Sequence, residues 1–177
     1  MQTFTYSEDI NSPELYKPRL VGLTAPKGMG KTTFAQKIGG EILSLATPIK
    51  QMLELIVPRI YIHEEKEKQI PGFPEGITSR VLMQRLGTEF GRACHPKIWV
   101  NIAKEQASRR LKATEAIGIH DYRLIIDDIR FKNEADMIHE LGGEVWKLKR
   151  EGYSAEEDNH CSEDGLPEEH IDKEIII

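Results

Sequence analysis

Residues 25–33 read A-P-K-G-M-G-K-T-T and follow directly on the apolar run Leu20-Val21-Gly22-Leu23. A lysine and two threonines behind closely spaced glycines are the parts of a phosphate cradle. Backbone N–H groups around Gly28, Met29 and Gly30 turn inward on phosphate oxygens, Lys31 reaches the β- and γ-phosphates, and the Thr32 hydroxyl ligates Mg²⁺. Thr33 completes the donor side. The pattern G-x-x-x-x-G-K-[ST] asks for glycine where Ala25 stands, so the match is one residue short of the full signature. The plainer reading, an ordinary strand-to-helix turn, leaves the lysine and threonines after Gly30 without a role. Such a loop binds nucleoside triphosphate, which makes ATP and Mg²⁺ the expected cofactors, but it does not define a reaction.

A second chemically loaded point is Asp127-Asp128, which ends the strongly apolar run at 122–126. If that run is a strand parallel to the one before the loop, both aspartates reach the same rim and approach the metal. Two elements must then place the loop. These are a strand over 19–24 and a helix over 31–42. A short strand at 43–46, a helical spacing over 49–57, and helices over 79–94 and 98–113 follow, with Ser79 as N-cap of the first. Residues 132–141 read as a helix ended by Gly142-Gly143, and 144–149 as a returning strand. Strands alternating with helices imply an α/β protein. The expected architecture is a three-layer P-loop NTPase fold with a mostly parallel sheet of about five strands flanked by helices.

The stretch 58–78, rich in charge, proline and glycine, is expected to be a mobile excursion outside the core. Residues 1–18 read as a loose N-terminal arm before one domain over 19–177. Residues 151–174 hold ten acids and one lysine, which by composition alone is a solvated loop. Trp99 and Trp146 are expected core residues of a helix and a strand.

With 177 residues, 39% of them hydrophobic and 30% charged, the chain can bury a full core. A formal net charge of −5 argues against nonspecific nucleic-acid binding. No apolar run approaches the ~20 residues a membrane span needs, and no signal peptide is read, so a cytoplasmic protein without stable nucleic-acid or membrane partners is expected. Cys94 and Cys161 neighbour His95 and His160 but lack zinc-site spacing; free thiols are the better reading.

The run S-R-V-L-M-Q-R-L-G-T-E-F-G-R-A-C-H-P-K-I-W-V at 79–100 resembles the substrate-side helix of bacteriophage deoxynucleoside monophosphate kinases. So do D-I-R-F-K-N-E-A-D at 128–136, N-H-C-S-E-D-G-L-P at 159–167 and T-P-I-K at 47–50, in that family's order. The resemblance covers most of 19–170. It implies a nucleoside monophosphate kinase fold, related to that of dephospho-coenzyme A kinases. It also implies transfer of the γ-phosphoryl of ATP to a deoxynucleoside 5′-monophosphate, in the host cytoplasm if the chain is phage-encoded, with a homodimer suggested. The chain departs from the family at Ala25, in the shortness of 58–78, and in ending without a closing helix, which bears on base specificity more than on reaction type.

A monophosphate acceptor is a dianion and calls for guanidinium forks. Arg80 at the start of its helix is the first candidate and Arg92 the second, while Arg85 points away from the face of Arg80. Each could equally belong to a solvated basic face. By resemblance Lys50, Gln84 and Glu89 join the acceptor site, the last two toward base or sugar, and Gly87 allows close packing. Arg130 is the candidate for charge on the transferred phosphoryl, or else forms an ion pair with Asp127 or Glu134. Asp128 organises Mg²⁺ through water rather than acting as a base, because the acceptor is already ionised. Asn133 and Glu134 stand between helix capping and ligand contact. Arg150 with the run from His160 to Glu163 is implied as a closing segment over the nucleotide. The alternatives are another small-molecule kinase of the dephospho-coenzyme A type, or a nucleotide-binding switch module with no acceptor.

Overall fold

The computed structural model describes residues 2–5, 18–26, 28–150 and 166–177. His160, Glu163 and Cys161 lie outside the described residues. The chain divides into two compact units, Met1–Ser44 with Ala103–Ile177, and Leu45–Ile102.

The first unit is built on a six-stranded sheet. Its strands are β1 (Gln2–Thr5), β2 (Leu20–Thr24), β3 (Glu41–Leu43), β4 (Leu124–Asp127), β5 (Glu144–Lys149) and β6 (Lys173–Ile176), in the order β1-β6-β5-β2-β4-β3. Every pairing is parallel. Parallel strands covered on both faces read as unbroken apolar runs, and β2 is buried at all five positions. Successive side chains of β2 serve opposite faces. Val21 and Leu23 join Phe34 and Ala35 of helix α1 (Lys31–Lys37), with Ile125, Trp146, Leu148 and Ile175, in one core cluster. Gly22 faces the other way. A β-carbon there would come within 2.9 Å of Ile129 and 3.0 Å of Ile138, which belongs to the helix over Lys132–Glu140. Helices thus cover both faces, and the three-layer α/β expectation holds.

Several boundaries differ from the sequence reading. The helix predicted to run to residue 42 stops at Lys37, because Gly39 and Gly40 take φ of 69° and 151°. The buried Arg123 donates from Nη1 to the Ile38 carbonyl at 3.0 Å, satisfying one acceptor left by the helix end. The strand placed at 43–46 is β3, at 41–43. Residues 2–5 of the supposed loose arm form β1, which pairs with β6 at the sheet edge.

The second unit holds α2 (Thr47–Glu54), α3 (Arg59–His63), α4 (Ser79–Gln84) and a π-helical segment, Arg85–Arg92. Its core is Leu53, Val57, Ile62 and Ile70. Two of these four come from 58–78, so that stretch contributes to the core instead of lying outside it. The Gln69 side chain closes its turn, donating to Phe73 O at 3.2 Å and Pro74 O at 2.9 Å and accepting from Gly76 N at 2.9 Å. Thr78, not Ser79, is the N-cap of α4, its hydroxyl accepting from Val81 N at 3.3 Å. Within the π segment Gly87 and Gly91 are both buried, and a β-carbon on Gly87 would lie 3.2 Å from Ile49 Cδ1. The Trp99 indole donates to Gly87 O at 2.8 Å, and a β-carbon on Gly91 would fall 2.3 Å from Trp99 Cζ2. Trp99 lies in the first turn of α5 (Ile98–Ala116); α6 (Lys132–Glu140) and a 3₁₀ turn (Glu168–His170) complete the helices described.

Candidate active site

The loop between β2 and α1 leaves the carboxyl end of a central parallel strand, where open α/β sheets bind ligands. Gly28 and Gly30 have φ of 80° and 84°, a region that glycine enters without steric cost. Nothing lies within 4 Å of a β-carbon on Gly28, so backbone angle rather than space requires glycine there. Lys31 opens α1 and folds back over the loop. Its amine donates to Ala25 O at 2.7 Å and Pro26 O at 3.3 Å, and lies 3.2 Å from Asp128 Oδ1.

Asp128 follows β4. Its N–H and that of Ile129 both donate to Leu23 O, at 3.1 and 2.8 Å, which ties the exit of β4 to the end of β2. Meeting that carbonyl takes Asp128 to φ 92°, the one positive φ outside glycine among the described residues. Aspartate tolerates this region better than most residues, but the conformation still costs of order 1–3 kcal/mol. The carboxylate it presents binds two cations. Oδ1 faces Lys31, and Oδ2 accepts from Arg130 Nε at 2.9 Å with Nη2 at 2.8 Å. Arg130 is thereby anchored through two of its nitrogens on one carboxylate oxygen, while the other oxygen serves Lys31. The buried Glu134 accepts from Arg130 N at 2.9 Å and Phe131 N at 3.1 Å, so it caps the start of α6. Its capping role is therefore observed.

The structure thus brings Lys31, Asp128 and Arg130 together beside Gly28 and Gly30. Thr32 and Thr33 stand exposed on the first turn of α1, and Met29 is buried under the loop. Arg150, one residue past β5, also belongs to this unit and reaches the loop at Gly30. The acceptor candidates all fall in the Leu45–Ile102 unit. Lys50 is half-buried on α2, Arg80 and Gln84 are exposed on α4, and Glu89 and Arg92 lie on the π segment, exposed and half-buried. The sequence reading missed Glu67, whose carboxylate meets Arg80 Nε. Nothing local in the sequence marks that pair, because thirteen residues and a turn separate its members.

A hydroxyl and a carboxylate, Thr32 and Asp128, are the hard oxygen donors that Mg²⁺ takes alongside phosphate oxygens. Among the described residues no group of three or more His, Cys, Asp and Glu could hold a metal ion by itself.

Residues 60–177 match the deoxynucleotide monophosphate kinase family. A protein of Acanthamoeba polyphaga mimivirus, named "Putative deoxynucleotide monophosphate kinase", is 32% identical over 81% of this chain and 80% of its own length. Among solved structures, a dephospho-CoA kinase from Campylobacter jejuni aligns at 16% identity and a TM-score of 0.41, over 90% of this chain and 88% of that one.

Proposed function

The chain belongs to the deoxynucleotide monophosphate kinase family, and on that footing we propose how its residues divide the work of moving the γ-phosphoryl of ATP to a deoxynucleoside 5′-monophosphate. The observation that carries the donor half is the Asp128 carboxylate, which holds Lys31 and Arg130 beside the glycine loop. Phosphoryl transfer needs alignment and charge neutralisation more than covalent help. Loop amides around Gly28, Met29 and Gly30 cradle the triphosphate, with Ala25 at the loop's entry. Lys31 moves from the Ala25 and Pro26 carbonyls onto the β- and γ-phosphate oxygens, a stronger charge-assisted partner. Arg130 balances charge on the transferred group. Thr32 and Asp128 would hold Mg²⁺, which would supply charge neutralisation at the phosphates, and Thr33 supports the first turn.

On the acceptor side Arg80 and Arg92 bind the monophosphate, Lys50 belongs to the same site, and Gln84 and Glu89 face the sugar or base. Glu67 engages Arg80 through Nε, which leaves the two terminal nitrogens as a fork for phosphate. The acceptor oxygen is already ionised near neutral pH, so no strong general base is required. The reading places the enzyme with nucleotide pools in the cytoplasm. No described helix is long and apolar enough to cross a membrane.

A steady-state screen tests this reading. ADP release is measured with ATP and each of the four common deoxynucleoside monophosphates, their ribose forms and dephospho-coenzyme A. Turnover is expected with at least one deoxynucleotide, and its absence with every monophosphate would overturn the assignment. Lys31→Ala is expected to lower kcat about 100-fold or more, the scale for removing one preorganised charge. Arg80→Ala is expected to raise the acceptor KM about tenfold, the scale of one charged hydrogen-bonded contact. Unchanged acceptor kinetics in Arg80→Ala would remove Arg80 from the site.

A further inference from the structure

We infer that Thr88 is a further acceptor-binding residue, donating its hydroxyl to the monophosphate, and that the π segment is what sets it between Arg80 and Arg92. This rests on those two arginines binding the acceptor phosphate. In an α-helix a four-residue step overshoots one turn by about 40°. Arg92, three such steps beyond Arg80, would then end about 120° round the helix from it. In the π segment Arg85–Arg92 the bonds run to the fifth residue and each turn is longer, so the same step falls short of a turn and the drift reverses. Burial shows the result. Ser79, Gly87 and Gly91 are buried and Met83 packs on the core of this unit, which keeps one inward row through three four-residue steps. Arg80, Gln84, Thr88 and Arg92 each follow a member of that row by one residue. They form a second row beside it, exposed at the first three positions and half-buried at Arg92.

Arg80 and Arg92 stand about 18 Å apart along the axis at an α-helical rise, which is longer than either arginine's arm. Two guanidiniums so placed meet one phosphate by converging from both ends over the middle of the row, where Gln84 and Thr88 stand. Gln84 is long enough to pass the phosphate toward sugar or base. Thr88 is short and stays close to the helix, so the phosphate rests above its hydroxyl. Helical threonines usually spend that proton on a carbonyl of the preceding turn. Thr114 of α5 does so, donating to Arg110 O and Leu111 O at 3.0 Å. Among the described residues the Thr88 hydroxyl has no such partner. A phosphate oxygen is a charged acceptor, which makes the bond stronger than one to a neutral group.

The test compares wild type, Thr88→Val, Thr88→Ser and Arg80→Ala. Steady-state ADP release gives separate KM values for acceptor and ATP, and inhibition by the matching deoxynucleoside reports binding without the phosphate. Thr88→Val should raise the acceptor KM about tenfold, the scale of one hydrogen bond to a charged group. The ATP KM and the deoxynucleoside inhibition should stay within about twofold, and Thr88→Ser should recover most of the loss because the hydroxyl survives. If Arg80→Ala raises the acceptor KM and Thr88→Val does not, the inference is wrong while the acceptor site stands. If neither variant changes it, the acceptor assignment fails and takes the inference with it. Equal weakening of monophosphate and deoxynucleoside in Thr88→Val would move the hydroxyl to sugar or base and overturn the inference. So would a Thr88→Ser enzyme as impaired as Thr88→Val, since a lost methyl contact would then explain both.

Discussion

At the level of single residues the site turns on Asp128. Its backbone is spent on closing β4 against β2, and its side chain on two cations, so substitutions must separate the two roles. Asn keeps the shape and the tolerance of positive φ while removing the charge. Asp128→Asn is expected to lower kcat about 100-fold, as loss of an electrostatic organiser does. Its half-exposed ion pairs contribute only about 0–1 kcal/mol each to folding, so the melting temperature should move by a few degrees at most. Full activity in a folded Asp128→Asn protein would sink the role given to this carboxylate. Ala25 is explained at the same scale. Lys31 uses the carbonyl of residue 25, which every amino acid supplies, and that residue does not need a positive φ. Glycine is dispensable there in a way it is not at Gly28 or Gly30.

At the level of elements, the π segment shows why two glycines stand four apart in 85–92. Gly91 leaves room for Trp99 through its missing β-carbon, while Gly87, whose carbonyl accepts from the indole, leaves room for Ile49 Cδ1, 3.2 Å from where its β-carbon would sit. Gly91→Ala puts a methyl inside the indole's contact distance and should cost about 1–3 kcal/mol, as overpacking does. In a chain of this size that lowers the melting temperature by roughly 2–12 °C. Combining it with Trp99→Leu should cost less than the sum of the single changes, because the smaller residue leaves room for the methyl. Strict additivity in thermal or denaturant unfolding would refute the packing account.

The same scale shows what the sequence could disclose. The central strands β2 and β4 were legible because burial on both faces writes continuous apolar runs, and β5 because the buried Val145, Trp146 and Leu148 follow the helix end at Gly142-Gly143. The ends of the sheet were not. In β6, Lys173 and Glu174 are buried charges whose partners, Glu144 and Lys149, lie on β5, so the run carries no local strand signal. Gly39-Gly40 does not stand out as a helix end because Ile38 and Ile42 continue a helical spacing, while Gly142-Gly143 coincides with the end of one. The loop, Asp128 and Arg130 were legible as contiguous motifs. The Glu67–Arg80 contact and the approach of Arg150 to Gly30 depend on chain pairing far from either residue.

For the whole molecule, stability against alkali is set partly at the β3 edge of the sheet. Tyr122, just before β4, donates from its hydroxyl to Glu41 Oε2 at 2.8 Å, and Arg110 of α5 holds the other oxygen at 2.7 Å. Burial, then the hydrogen bond to Glu41 and that carboxylate's charge, push the Tyr122 phenol up to about 12. An unfolded tyrosine titrates near ~10. The folded chain therefore holds this proton more tightly than the unfolded one. The resulting stability is complete below pH ~10 and disappears as pH rises through ~12. Deprotonation would set a phenolate against Glu41 in a chain already carrying a formal charge of −5. Tyr122→Phe should melt below wild type at neutral pH, and the gap should close between about pH 10 and 12. Lysine deprotonation destabilises both proteins alike and cancels in the comparison. Absorbance of tyrosinate should show a late-titrating phase in wild type that is missing from Tyr122→Phe. A melting gap that stays constant to pH ~12 would mean that the Tyr122 proton is not linked to folding.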